Sequence, residues 1–171
     1  MEVEPQRSTF YISLLLFFLT WPVETLEPTG ICVYVSKYRL NWFEALFTCQ
    51  KKGMCLADID TGFTVLALTS HLHGDDRTDI WFGLTAFERN NYRYISNNKL
   101  VDYTPKDSVL VNNGSCAFLK PVDPLYTFAS GDCTVRKRFV CTQTDMCNGA
   151  RMRKPKASCT VPDYAKEILS L

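Results

Sequence analysis

The sequence predicts an exported, disulfide-stapled α+β domain. Three observations carry that expectation: an apolar, uncharged run near the amino terminus, eight cysteines in 171 residues, and two helix-like stretches followed by short aromatic and β-branched segments. With 46% apolar residues the chain can bury one core, which suits a single domain with short appendages. A formal net charge of +1 excludes a molecule built as a whole for nucleic acid or for polybasic membrane adhesion.

Residues 1–25 read as a signal peptide. The run from Phe10 to Leu19 is apolar and too short to span a bilayer comfortably, and cleavage is expected after Thr25, with Val23 at the third position before the cut. An uncleaved anchor is the alternative, although Pro22 interrupts the apolar stretch. Removal of the peptide takes away Glu2, Glu4, Arg7 and Glu24 and leaves 18 basic and 15 acidic residues. The chain that remains is expected to be secreted and extracellular, as residues 26–147 of a folded domain followed by a basic extension over 148–171.

"ICVYVSKYRL" then reads as an opening strand, because β-branched and aromatic residues favour the pleated surface. "NWFEALFTCQKKG" reads as a helix with Asn41 as N-cap, Phe43, Leu46 and Phe47 at helical spacing, and Gly53 as the stop. "MCLADID" is a brief apolar segment. A second helix is expected over "TGFTVLALTSHLHG", with Phe63, Leu66, Ala67 and Leu68 on a helical face before Gly74. From Trp81 onward, "IWFGLTAF", "YRYIS", "KLVDY", "SCAFLKP", "YTFAS" and "RKRFVCT" are short and punctuated by Asn, Gly, Pro and Asp, the pattern of strands and loops.

Cys32, Cys49, Cys55, Cys116, Cys133, Cys141, Cys147 and Cys159 form an even set in an exported chain, which argues for disulfides in an oxidising compartment. No C-x-x-C pair supplies the short-range ligands of a structural zinc site. With the cysteines oxidised, only two histidines and no serine elbow, the sequence assembles no nucleophile with its base, so an enzyme is not expected and no catalytic residue is assigned.

The order of strand, "NWFEALFTCQKKGMCLADID", second helix, "WFGL" and then Cys116, Cys133 and Cys141 resembles the C-type lectin domain family over residues 31–143. Trp42, Ala45 and Cys49, with Trp81, Gly83 and Leu84, are its most specific anchors. The resemblance implies two helices with small antiparallel sheets and a long loop region, and a core filled by Trp42, Trp81, Phe82, Leu84 and Phe139. It also implies bonds from Cys49 to Cys141 and from Cys116 to Cys133. For the other four cysteines, the meeting of first and last strands in such a fold favours Cys32 with Cys147 and Cys55 with Cys159. The exchanged arrangement, Cys32 with Cys159 and Cys55 with Cys147, stays open.

Sugar-binding members of this family use calcium as the bridge, and calcium needs several oxygen ligands. The family's Trp-Asn-Asp signature falls on Phe128, Ala129 and Ser130 here, which offer no carboxylate. In the long loop, Pro105 stands between Thr104 and Lys106, placing an ammonium where an oxygen belongs. No cofactor is therefore expected, calcium included, and no metal-binding residue is assigned. The expected function is recognition of an extracellular protein or glycan through the long-loop surface from Tyr103 to Ser130, as in the secreted single-domain lectins of insects that the chain resembles. No nucleic acid and no membrane span after signal removal are expected.

Asp107, Asn112, Asp123 and Asp132 are the candidate ligand-binding residues, and would also be the ligands of an atypical calcium site if the alternative of a calcium-dependent lectin holds. Arg136, Lys137 and Arg138 are a candidate anion site, with a solvated turn as the plainer reading. Asn113, in Asn-Gly-Ser, is a glycosylation sequon. His71, His73, Asp75 and Asp76 crowd together but read as a solvated loop. A third possibility is a disulfide-linked structural protein, its extra cysteines joining chains.

Overall fold

A computed structural model describes residues 33–72, 77–111 and 115–153. The expected signal peptide lies outside them, as do Cys32, His73, Asp75, Asp76, Asn112, Asn113 and Cys159. Along the chain come β1 (Val33–Val35), α1 (Trp42–Lys51), β2 (Cys55–Leu56), α2 (Gly62–His71), β3 (Ile80–Thr85), β4 (Arg93–Tyr94), β5 (Cys116–Val122), β6 (Leu125–Gly131), β7 (Arg138–Thr142), β8 (Met146–Cys147) and β9 (Ala150–Arg151). The main sheet runs β1-β7-β3-β5-β6, with β2 joined to β7 and β4 to β3. Its pairs are antiparallel, as the resemblance implied, except β3 and β7, which run parallel with Trp81 opposite Phe139.

Asn41 caps α1 as its sequence position suggests. Its side chain accepts the Glu44 amide at 2.8 Å, and the Glu44 carboxylate accepts the Asn41 amide at 3.2 Å, a reciprocal box that satisfies two otherwise open donors. At the other end Gly53 takes a left-handed φ of 72°, and the amides of Gly53 and Met54 close onto the carbonyls of Gln50 and Cys49. The buried face differs from the expected one: Trp42, Ala45, Leu46 and Cys49 point inward, while Phe43 and Phe47 face water. Residue spacing permits either stripe, and the bond from Cys49 to Cys141 on β7 selects the first. In α2, Val65, Leu68 and Thr69 are buried, with Leu72 just beyond its end, while Phe63 and Leu66 of the apolar set read from the sequence are exposed. A helix apolar on most sides does not announce which stripe packs.

The central strand β3 is buried at all six positions. Trp42 reaches it by donating its indole N–H to the Phe82 carbonyl at 2.9 Å, and Trp81 donates to the Val135 carbonyl at 3.1 Å. Trp42, Trp81, Phe82, Leu84 and Phe139 all lie in the core, as the family resemblance implied. Gly83 is required by proximity: its amide donates to Ala57 at 2.9 Å, and a Cβ there would lie 2.6 Å from the Leu56 carbonyl oxygen and 2.9 Å from that of Ala57. "KLVDY" forms no strand beyond a single bridge from Leu100 to Arg93.

Cys49 bonds Cys141 and Cys116 bonds Cys133, the pairing implied by the resemblance. Cys55 bonds Cys147, so the favoured combination of Cys32 with Cys147 and Cys55 with Cys159 is overturned. The reason is register: β2 lies on β7 with Cys55 opposite Thr142, and the chain then turns through β8, bringing the Cys55 and Cys147 Cα atoms within 5.4 Å. The fold also continues past residue 147, because β9 pairs with β8, Asn148 donates to Ile95 and Met152 packs against the core. By loop entropy the two bridges of separation 92 stabilise by about 4–5 kcal/mol each and the one of separation 17 by about 3 kcal/mol.

Replacing Gly83 by alanine is expected to destabilise the fold by about 1–3 kcal/mol, since backbone carbonyls rather than mobile side chains occupy the space of the new methyl. Denaturant unfolding measures it; an unchanged midpoint would contradict the close approach of β3 to the segment after β2.

Candidate functional site: the long loop on strand β6

The long loop between β4 and β5 lies along β6 and is fastened to it by hydroxyl groups. Ser108 donates its hydroxyl to the Pro105 carbonyl at 2.6 Å and accepts the Phe128 amide at 3.2 Å. The Thr127 hydroxyl donates to the Lys106 carbonyl at 2.9 Å and lies 3.1 Å from that of Ser108. Further along, Val109 donates its amide to the Phe128 carbonyl at 2.8 Å, and Val111 donates to the Ser130 hydroxyl at 2.8 Å. Tyr92 completes the row by donating to the Val111 carbonyl at 2.8 Å. Each bond is neutral, and most join residues 19–21 apart, so the loop is shaped by the strand it lies on.

Phe128 is fully buried, its ring 4.7 Å from that of Phe82 and 6.3 Å from that of Tyr103. Ala129 bridges Val109, and the Ser130 oxygen is already engaged. Side chains at 128–130 thus build core and loop anchor, and the Pro105 and Lys106 carbonyls are turned to hydroxyl donors. This donor set does not fit calcium, which requires several free carboxylate and carbonyl oxygens converging on one point.

The candidate acids do not converge. Asp107 is an exposed turn residue with φ of 63°, and Asp123 sits at the tip of the β5–β6 hairpin, paired with Arg77 at 3.1 Å. Asp132 lies beyond the other end of seven-residue β6, roughly 20 Å away from Asp123 along the strand. It accepts the Thr134 amide and hydroxyl, both at 2.8 Å, and these bonds hold its carboxyl below the usual range. Its role is that of a turn residue. Among the described residues no group of three or more His, Cys, Asp or Glu side chains gathers as a metal site would require.

The basic triplet is also dispersed. Lys137 forms an ion pair with Asp79 at 2.7 Å and sits over the rings of Phe118 and Trp81 at 4.0 and 5.2 Å. Arg138 donates to the Ser36 carbonyl at 2.8 Å, while Arg136 lies 3.7 Å from Glu44. Entry into β7 sends neighbouring side chains to opposite faces, so a run of charge in sequence is not a patch in space, and the candidate anion site is corrected to three structural contacts.

Sequence reading missed Asp58, in the segment after β2. Its Oδ2 accepts the hydroxyl of Ser96 and the Asn97 amide at 3.3 Å, while Oδ1 is buried with no partner. Burial pushes this carboxyl up to about 6; the Ser96 bond opposes that, Asp60 adds to it and Lys99 opposes it. Tyr94 reinforces the join by donating to the Ile59 carbonyl, and its phenol is raised above the usual range by burial and then by Asp58, Asp60 and Asp102. An aspartate set between the apolar residues Ala57 and Ile59 of "MCLADID" was the available signal.

A small α+β domain with two helices, a mixed sheet, stapling disulfides and a long loop laid along an outer strand is thus a scaffold for recognition. Residues 38–143 match the family model described as the Lectin C-type domain, and the chain belongs to that family. Solved structures share the fold. The mouse scavenger receptor C-type lectin carbohydrate-recognition domain is 23% identical with a TM-score of 0.55, covering 67% of this chain and 88% of that one. Human lithostathine is 24% identical at a TM-score of 0.55, covering 66% and 90%. A Ca2+-independent C-type lectin, SPL-2 from Saxidomus purpuratus, is 17% identical at 0.58, covering 66% and 86%. A search of curated proteins found no match.

The raised Asp58 carboxyl has a defined sign. A proton binds the folded state more tightly than the unfolded one, so this group's contribution is full below pH 4 and is lost as pH rises to about 6, by about 2–3 kcal/mol in all. Asp58→Asn keeps acceptors for Ser96 and Asn97 without the charge. Denaturant unfolding between pH 4 and 7 is expected to show the wild type losing stability relative to the variant; parallel profiles would refute the assignment.

Proposed function

We propose that the protein is a secreted recognition module that binds a protein, or a glycan without calcium, on the face formed by the long loop and β6. The observation that carries this reading is the row of hydroxyl bonds from Ser108, Thr127 and Ser130, which shapes the loop where a calcium site would otherwise shape it. Val109 and Val111 project from the same loop, 63% and 52% exposed, and provide apolar contact at a rigid surface. The name of SPL-2 supports the reading, since a calcium-independent lectin exists on this fold. A role as a binding module and not an enzyme accords with the family.

The remainder of the proposal concerns the chain around that face. Residues 1–25 act as the signal peptide, the domain begins near residue 26, and the basic stretch after the β8–β9 hairpin is an extension. Asn113 is the glycosylation site, and the insect secreted lectins are the group whose mode of use it would share. With Cys55 and Cys147 joined, Cys32 and Cys159 pair with each other in this proposal and tie the extension to the start of the domain.

Calcium and a chelator are expected to leave the melting temperature unchanged to within about 1 °C, because an ion that does not bind the folded state cannot stabilise it. A glycan array run with calcium and again with chelator should give the same pattern; capture on a sugar matrix released by chelator overturns the calcium-free reading. Peptide mapping of the unreduced secreted chain is expected to recover Cys32 linked to Cys159. Recovery of either cysteine joined between two chains instead supports the assembly role.

A further inference from the structure

Helix α1 faces two environments. Its Trp42, Ala45, Leu46 and Cys49 side packs on the sheet, while Phe43 and Phe47 are 39% and 57% exposed on the other. Phe87, from the segment after β3, is 39% exposed and closes edge-on against Phe43 with ring centres 4.9 Å apart. At roughly 200 Å² per phenyl side chain, these rings leave on the order of 250 Å² of adjoining aromatic surface in water, a size ordinary on a monomer, so the charges set around the rings carry the argument.

We propose that this platform is the contact of a two-fold symmetric homodimer, in which α1 of one molecule lies antiparallel on α1 of a second. Glu44, Phe47 and Lys51 stand three and four residues apart and form one stripe of the helix. The Lys51 ammonium lies 4.4 Å over the Phe47 ring, which places it on that side. When two such stripes run antiparallel about an axis beside Phe47, Glu44 of each helix opposes Lys51 of the other. Run parallel, the same stripes set Glu44 against Glu44 and Lys51 against Lys51. Self-complementarity in the antiparallel sense is what a two-fold contact requires, and opposed helix dipoles favour it further.

The charges are available for the contact. Lys51 has no ion pair among the described residues, and Glu44 engages only Oε2, with the Asn41 amide at 3.2 Å and Arg136 at 3.7 Å. A stable interface buries about 800 Å² per partner, so the aromatic platform supplies roughly a third, as its centre, and the charged stripe with the Glu88–Arg89 flank supplies the rim. An interface with so small an apolar centre is expected to be reversible.

Sedimentation velocity on the full secreted chain, disulfides intact and loaded from about 1 to about 300 µM, tests this. The wild-type mass is expected to rise toward that of a dimer, Lys51→Glu to weaken association about tenfold, and Phe47→Asp to remain monomeric throughout. Glu44→Lys combined with Lys51→Glu exchanges the charges and is expected to restore association to within a few-fold of wild type. Circular dichroism and unfolding midpoints establish that each variant is folded. The proposal is overturned by a wild-type mass that stays monomeric, by a dimer that persists in Phe47→Asp, or by a double exchange no stronger than Lys51→Glu. A dimer that survives a non-reducing denaturing gel is covalent and counts against it as well.

Discussion

The attachment of α1 to the central sheet is the constraint on which the rest of the structure depends. Cys49 bonds Cys141 on β7, and a few residues away the Trp42 indole donates to the Phe82 carbonyl on β3. One covalent and one buried polar contact thus fix a helix across two parallel neighbouring strands. Because the bonded cysteines are 92 residues apart, both helices' connection, the long loop and the β5–β6 hairpin are enclosed in the ring they close. Cys55 to Cys147 encloses nearly the same stretch from the next strand, so the two bridges restrict much the same unfolded freedom and their separate entropies do not simply add.

Within that ring the sheet edge at β6 is the adaptable part. Its residues Tyr126 and Phe128 join the core, while the Thr127 and Ser130 hydroxyls and the Phe128 carbonyl hold the long loop. Neutral hydrogen bonds are individually modest, yet a row of them with two backbone amides leaves the loop few alternatives. A surface made rigid this way presents its side chains without spending binding energy on ordering the loop, which suits recognition of a partner by shape and apolar contact. The Cys116 to Cys133 bond clamps the far end, joining the start of β5 to the turn after β6.

The outer face of α1 follows another logic. Turning Cys49 inward turns Phe43 and Phe47 outward, because a helix cannot bury stripes about 100° apart against one sheet. The exposed phenylalanines are therefore a direct consequence of how α1 is stapled, and Phe87 gathers against them. Asp58 shows a comparable conflict in small: the segment after β2 must approach the Ser96 turn, and the carboxylate carried there loses water on one oxygen without gaining a donor.

The sequence by itself determined the architecture. Asn41 and Gly53 set the limits of α1 through local backbone chemistry, the tryptophans with Gly83 marked the core, and Cys49 with Cys116, Cys133 and Cys141 carried the family resemblance that implied two of the bridges. The family resemblance set Phe128, Ala129 and Ser130 where the Trp-Asn-Asp signature falls, and their lack of a carboxylate was readable without coordinates. Only the tertiary structure decided which stripe of each helix is buried, that Cys55 meets Cys147, and that Arg136, Lys137 and Arg138 part toward separate partners. The physical reason is that caps, turns and residue chemistry act over a few residues, whereas facing, register and partner choice are set by contacts between segments distant in the chain.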